Sequence, residues 1–187
     1  MITRIAALLS LLTIGASVSA QELSLKIQIP AEPIHVGDYP KFQIIVSNNG
    51  NKPMTLVEPG DGSESGWRTP VIGWSVLSAD KPDAKHPKEP PLFHGGRCKM
   101  INPLKLNEIF TLKPGESRQL GGSVDSPSFV RPGKFRVRFY YHNIPSLSVS
   151  GVPLGKHEDG VMDKIKQSYP CCLVSNEIIV DVSPKKE

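Results

Sequence analysis

The chain has 187 residues, 39% hydrophobic and 21% charged, with 22 Lys+Arg against 18 Asp+Glu. That length suits one domain, and the composition excludes both a disordered tail and a multi-pass membrane protein. The 18 prolines are nearly twice the usual share of about 5%, and beside short apolar runs they point to strands and turns. A net charge of +4, spread along the chain, gives no reason to expect nucleic acid as a partner.

The N-terminus reads as an export signal. Met1-Ile2-Thr3-Arg4 is a short basic start, Ile5 to Ile14 is apolar apart from Ser10 and Thr13, and Val18-Ser19-Ala20 supplies small residues. This pattern predicts a signal peptide over 1–20, cleaved between Ala20 and Gln21. No later stretch approaches the ~20 apolar residues of a membrane helix. The mature chain is therefore expected to be exported, periplasmic or extracellular, and not inserted in a membrane. Residues 21–183 read as a single domain and 184–187 as a polar tail. A chain of this size can bury a core without disulfides.

In chain order, Leu23, Leu25, Ile27 and Ile29 alternate with Ser24, Lys26 and Gln28 as a half-buried strand ended by Pro30 and Pro33. After the Gly37-Asp38 turn, Phe42, Ile44 and Val46 form a second strand, closed by Asn48-Asn49-Gly50-Asn51. A short apolar piece over 54–57 follows. Residues 59–66 read as a polar, flexible turn; Asp61 starts a calcium-like loop, but its twelfth position is Ile72 instead of Glu. A third strand covers 71–77 with Ile72, Trp74 and Val76 on one face. Residues 79–91 carry four prolines, many charges and no period, and read as a long exposed connection. Strands are then expected over 108–112, 117–124 and from Phe135 to Tyr141, the last with Arg136, Arg138 and Tyr140 outward. A long excursion to Cys172 contains Val161, Met162, Ile165 and Tyr169 at helical spacing, with Asp159 placed to cap. Ile178, Val180 and Val182 make the final strand.

Seven or so short strands with almost no helix predict an all-β, two-sheet antiparallel sandwich; a closed barrel is the alternative. The order of signals resembles an immunoglobulin-like domain of exported bacterial proteins. The matching pieces are Gly37-Asp38 before Phe42-Gln43-Ile44, Ser47-Asn48-Asn49-Gly50, Leu112-Lys113-Pro114-Gly115-Glu116-Ser117, Pro132-Gly133-Lys134-Phe135-Arg136-Val137 and Ser175-Asn176-Glu177. Trp74 stands on the third long strand, where such domains often keep a core tryptophan. The chain departs from the antibody pattern in lacking cysteines on its second and penultimate strands, and Phe135 stands where a tyrosine corner would want a hydroxyl. The resemblance implies a fold and no function.

Cys98, Cys171 and Cys172 lie outside the core strands, and in an exported protein a disulfide is the default. A bridge from Cys98 to one of the adjacent pair is expected, with one thiol left over. The competing reading is a metal or Cys/His catalytic site from His94, Cys98 and His157, residue types that suit borderline metals. The chain carries no C-x-x-C pair, H-E-x-x-H helix, phosphate-binding glycine loop or G-x-S-x-G elbow. No metal, cofactor or catalysis is expected from the residues.

The function expected is a non-catalytic exported module that binds a protein or cell-envelope partner, presenting the loops 79–98 and 143–172. A secreted protease inhibitor offering one Pro-rich loop is a variant of this reading. The outward stripe of Arg136, Arg138 and Tyr140 is a second candidate partner surface.

Overall fold

The computed structural model describes residues 22–93, 98–121, 126–147 and 149–186. The signal segment 1–20, His94 and the far end of the strand expected over 117–124 lie outside the described residues. The described chain is mostly β, as the periodicity predicts, with one short helix.

Two-residue alternation builds the first sheet. Strand β1 (Leu23–Gln28) buries Leu23, Leu25 and Ile27 and leaves Ser24 and Lys26 in solvent. It pairs antiparallel with β3 (Gln43–Asn48), which pairs antiparallel with β8 (Ser117–Gln119). A second antiparallel pair, β4 (Met54–Val57) with β7 (Ile109–Leu112), continues the same two chain paths beyond their turns. Asn48, fully buried, joins the two interruptions. Its Nδ2 donates to the carbonyls of Lys52 and Leu112 at 2.8 and 2.9 Å, and its Oδ1 accepts from Gly50 N.

The second sheet is centred on β9 (Gly133–Asn143) and curls as a half-barrel. Strand β5 (Val71–Ser78) flanks it on one side, while β11 (Cys171–Val174) and β12 (Ile178–Ser183) share the other. A two-residue strand β2 (Ile34–His35) runs parallel to the end of β12. Val174 stands opposite Tyr140 and Ile178 opposite Val137, so the chain between them carries one residue more than β9. Residues 175–177 are thus a bulge, which re-aims side chains. Ser175 exchanges bonds with the Phe139 backbone, and Asn176 reaches across to β1, accepting from Ile27 N at 2.8 Å. Glu177 points out of the barrel.

Between the sheets lie Phe135, Val137, Phe139 and Tyr141 from β9, with Val180, Val182 and the apolar faces of β1 and β3. Trp74 packs in the core between Phe42 and Phe139, its ring centroid 5.1 and 4.7 Å from theirs. The buried hydroxyl of Tyr141 donates to Val57 O at 2.8 Å and accepts from Val57 N, tying β9 to β4.

Four short strands exceed the sequence reading: β2, β11, and the parallel pair β6 (Met100–Ile101) with β10 (Val152–Pro153). The helix α1 (Val161–Lys166) is shorter than the spacing implied. Gly160, in a left-handed conformation, occupies its N-cap, while Asp159 instead pairs with Lys156 at 2.7 Å. The helix is held by a smaller apolar cluster of Val57, Leu104, Val161 and Ile165.

One further expectation is refined and one corrected. The connection after β5 is largely exposed, as expected, and it is laid down as a strap that follows β9 across the outer face of its sheet. Ala79 N donates to Lys134 O, His86 reaches Ser75, the Tyr140 hydroxyl meets Pro87, and Phe93 N donates to Glu64 O. The turn over 59–66, expected to be flexible, is largely buried with Ser63 fully enclosed. Its backbone is satisfied from within: Gly60 N donates to Ser63 Oγ, Gly62 N to Glu64 Oε2, and Trp67 N to Gly62 O.

Candidate functional site

One end of the sheets gathers most of the irregular chain: the buried loop 58–70, residues 98–108 and the excursion from Ile144 to Pro170. Polar groups fix its floor. Asn143, at the end of β9, accepts from Thr69 Oγ1 at 3.0 Å and donates to Ser168 Oγ and to Tyr169 O, both at 2.8 Å. This joins the loop, the central strand and the helix through side chains with almost no exposure.

Beside them, Arg68 is fully buried, and its guanidinium meets both carboxylate oxygens of Glu108, Nη2 donating to Oε2 at 3.1 Å. Glu108 stands across the ladder from Glu58, whose backbone N donates to Glu108 O. Two carboxylates so placed repel, and each has its own arginine: Glu58 Oε2 lies 3.2 Å from Arg118 Nη2, an ion pair without hydrogen-bond alignment. Gly121 N also donates to Glu58 Oε1. Burial raises the Glu58 carboxyl above its usual range, opposed by the Gly121 bond and by Arg118. The group is a closed ion-pair network that positions the loop.

Over this floor lies the β6–β10 ribbon. Val152 N donates to Lys99 O, Leu154 N to Ile101 O, and Ser150 N to Trp67 O, at 2.8–2.9 Å. Asn102 N donates to the Asp61 carboxylate at 3.0 Å. Ile101 plugs the ribbon into the loop so closely that a Cβ on Gly62 or Gly151 would meet it at 2.7 or 2.6 Å. The register sets Met100 beside Val152 on the outward side, and Leu154 follows at the next outward position. These side chains are 41, 58 and 57% exposed, a row of large apolar groups held by fixed backbone. Leu92 and Phe93, also exposed, end the strap next to Gly66 and Glu64 of the same loop.

Of the residues singled out for chemistry, His157 is engaged in holding the chain together. His157 Nδ1 accepts from Leu104 N at 3.0 Å, and Glu158 Oε2 accepts from Leu106 N, so both pin the excursion to residues 104–106. Among the described residues, no group of three or more His, Cys, Asp or Glu side chains is placed to hold a metal; His94 is not described. The expected disulfide is not formed, and Cys98, Cys171 and Cys172 are all free thiols. Strand alternation separates the adjacent pair: Cys171 packs against the core, whereas Cys172 is exposed. Burial pushes the Cys171 thiol up to about 12, which leaves it unreactive.

The stripe read as a partner surface is already occupied. Tyr140 is fully buried, its hydroxyl donating to Pro87 O at 2.7 Å. Arg136 donates to both oxygens of Glu177 and to the carbonyls of Pro82 and Ala84. Arg138 Nε lies 3.7 Å from the same carboxylate. The ribbon is invisible in the sequence because two-residue strands carry no period; Val152, between Gly151 and Pro153, is its one faint trace.

At the opposite end, an open hollow of about 1000 Å³ is lined by residues 28–35 and 38–41, with Gln43 and Lys186. Its walls mix prolines, Tyr39, His35 and lysines. Among the described residues, no helix is long and apolar enough to cross a membrane. No family model, curated protein or solved structure matches the chain.

Proposed function

We propose that the chain is a non-catalytic, exported binding module of immunoglobulin-like sandwich arrangement, contacting a protein or cell-envelope partner through its ribbon end. The observation that carries this reading is the outward row of Met100, Val152 and Leu154 on a ribbon tied down by backbone hydrogen bonds. Large apolar side chains held in solvent by a rigid frame are what a binding surface needs, because little ordering entropy remains to be lost on contact. The immunoglobulin-like arrangement is supported by the opposed sheets and by Trp74 in the core of the third long strand. Export rests on the basic, apolar and small-residue sequence of residues 1–20.

The test is chemical crosslinking in the native host, comparing the wild type with the triple variant M100S/V152S/L154S. The reading expects a crosslinked complex that the variant loses while its thermal melt is unchanged. A complex that survives the triple substitution contradicts it.

A further inference from the structure

The strap has a feature that a passive cover does not need. Its inward side chain at the middle is a titratable one, His86, only 6% exposed and set among charges. Its Nε2 lies 3.0 Å from Glu177 Oε2 and its Nδ1 2.7 Å from Ser75 Oγ. A carboxylate only accepts, so Nε2 carries a proton; in the neutral imidazole Nδ1 then accepts from the serine hydroxyl, and in the imidazolium it donates to it. The remaining groups facing this point come from every packed element. From β9 come Arg136 and Arg138, and from the bulge Glu177, which both arginines share. Tyr140 of β9 meets Pro87 of the strap, and Cys172 of β11 lies near Tyr140 and near Glu89 of the strap.

We infer that the strap is a proton-operated latch: neutral His86 closes it on the outer face of the sheet, and acidification lifts its middle from Arg136, Arg138 and Tyr140. A second proton on His86 must go to Nδ1, where the Ser75 hydroxyl has to turn from donor to acceptor. It also adds a positive charge where two guanidiniums share one carboxylate and the buried Arg138 Nε lacks a hydrogen-bond partner. The contacts that fall away are those to carbonyl oxygens, Arg136 to Pro82 and Ala84 and Tyr140 to Pro87, which water can replace in the lifted state. The middle of the strap is free to lift without unfolding the sheets, because its polar anchors there, Ser75, Arg136, Tyr140 and Glu177, stand on the outer face and not in the core.

Burial, with Arg138 and Arg136, lowers the His86 pKa below its ordinary 6.5, against the opposing pull of Glu177. The latched strap thus binds fewer protons than the lifted one. Closure is complete above about pH 6.5 and weakens as pH falls from there through the lower latched value. Each unit between the two pKa values corresponds to about tenfold in the ratio of lifted to latched strap.

The experiment is proteinase K cleavage within 79–93 of the intact protein from pH 7.5 to 5, each rate divided by that of a free 79–93 peptide at the same pH. The wild type is expected to show a rising ratio below pH 6.5, and H86Q a flat one. A flat ratio in the wild type, or the same rise in H86Q, overturns the latch. Should H86Q be cleaved fast at every pH, NMR titration of His86 in the wild type decides: a pKa below 6.5, with the strap signals moving on the same curve, supports the latch. A pKa at or above 6.5, or strap signals that stay still, overturns it.

Discussion

The strap over β9 and the ribbon at the loop end are built from similar chain, short on period and broken by proline, yet their side chains face opposite ways. Under the strap, polar groups are consumed inside the molecule: Arg136 alone donates to Glu177, Pro82 and Ala84, and Tyr140 to Pro87. On the ribbon the backbone makes the bonds and the side chains left outside are Met100, Val152 and Leu154. A buried polar face costs free energy unless its groups are paired, and the closed strap supplies those partners. An exposed apolar row has no such internal remedy, and it marks the surface that is displayed.

The comparison breaks most sharply at the floor beneath the ribbon. Arg68→Met removes a buried charge partnered by Glu108, and urea denaturation should show a loss of about 3–5 kcal/mol. The strap can be disturbed alone through Gly73, where a Cβ would collide with the carbonyl oxygen of Pro91. Gly73→Ala should cost about 1–3 kcal/mol and raise proteolysis within 79–93 while cleavage at the ribbon stays unchanged. Tyr140→Phe deletes one bond to the strap, and about 0.5–1.5 kcal/mol should be missing from its urea stability.

Acid sharpens the contrast further. Hydrogen bonds from Arg136, with the charge of its guanidinium, hold the Glu177 carboxyl below its ordinary 4.5. Glu177 therefore contributes stability present above pH 4.5 and lost as pH falls through the lower folded value. A stability profile from pH 6 to 3 should be flatter in Glu177→Gln than in the wild type. The ribbon gives the smallest effect: M100S/V152S/L154S should stay within about 0.5 kcal/mol of the wild type in the same denaturation.

The all-β fold was legible where a strand buries one face. Leu23-Leu25-Ile27, Ile72-Trp74-Val76 and Phe135-Val137-Phe139 all lie inside as their alternation predicts. Cys171 to Val174 was passed over because it pairs beside a bulge and shows only Leu173 fully buried. The loop 58–70 read as exposed because its residues are polar, and burial there depends on bonds such as Ser63 Oγ to Gly60 N that no period reports. Arg136, Arg138 and Tyr140 were rightly placed outward; what the alternation does not carry is that a segment fifty residues earlier lies on top of them. The thiols mislead for a related reason, since spacing says nothing of the faces that Cys171 and Cys172 take.

The most direct measurement places a photo-crosslinking residue at Val152, at Ile179 or at Tyr39 and irradiates each protein in its native host. These positions compare the ribbon, the strapped sheet face and the opposite end, and all three are more than half exposed. The account predicts a partner adduct at Val152 and none at the other two. Adducts at Ile179 or Tyr39 with none at Val152 would contradict it.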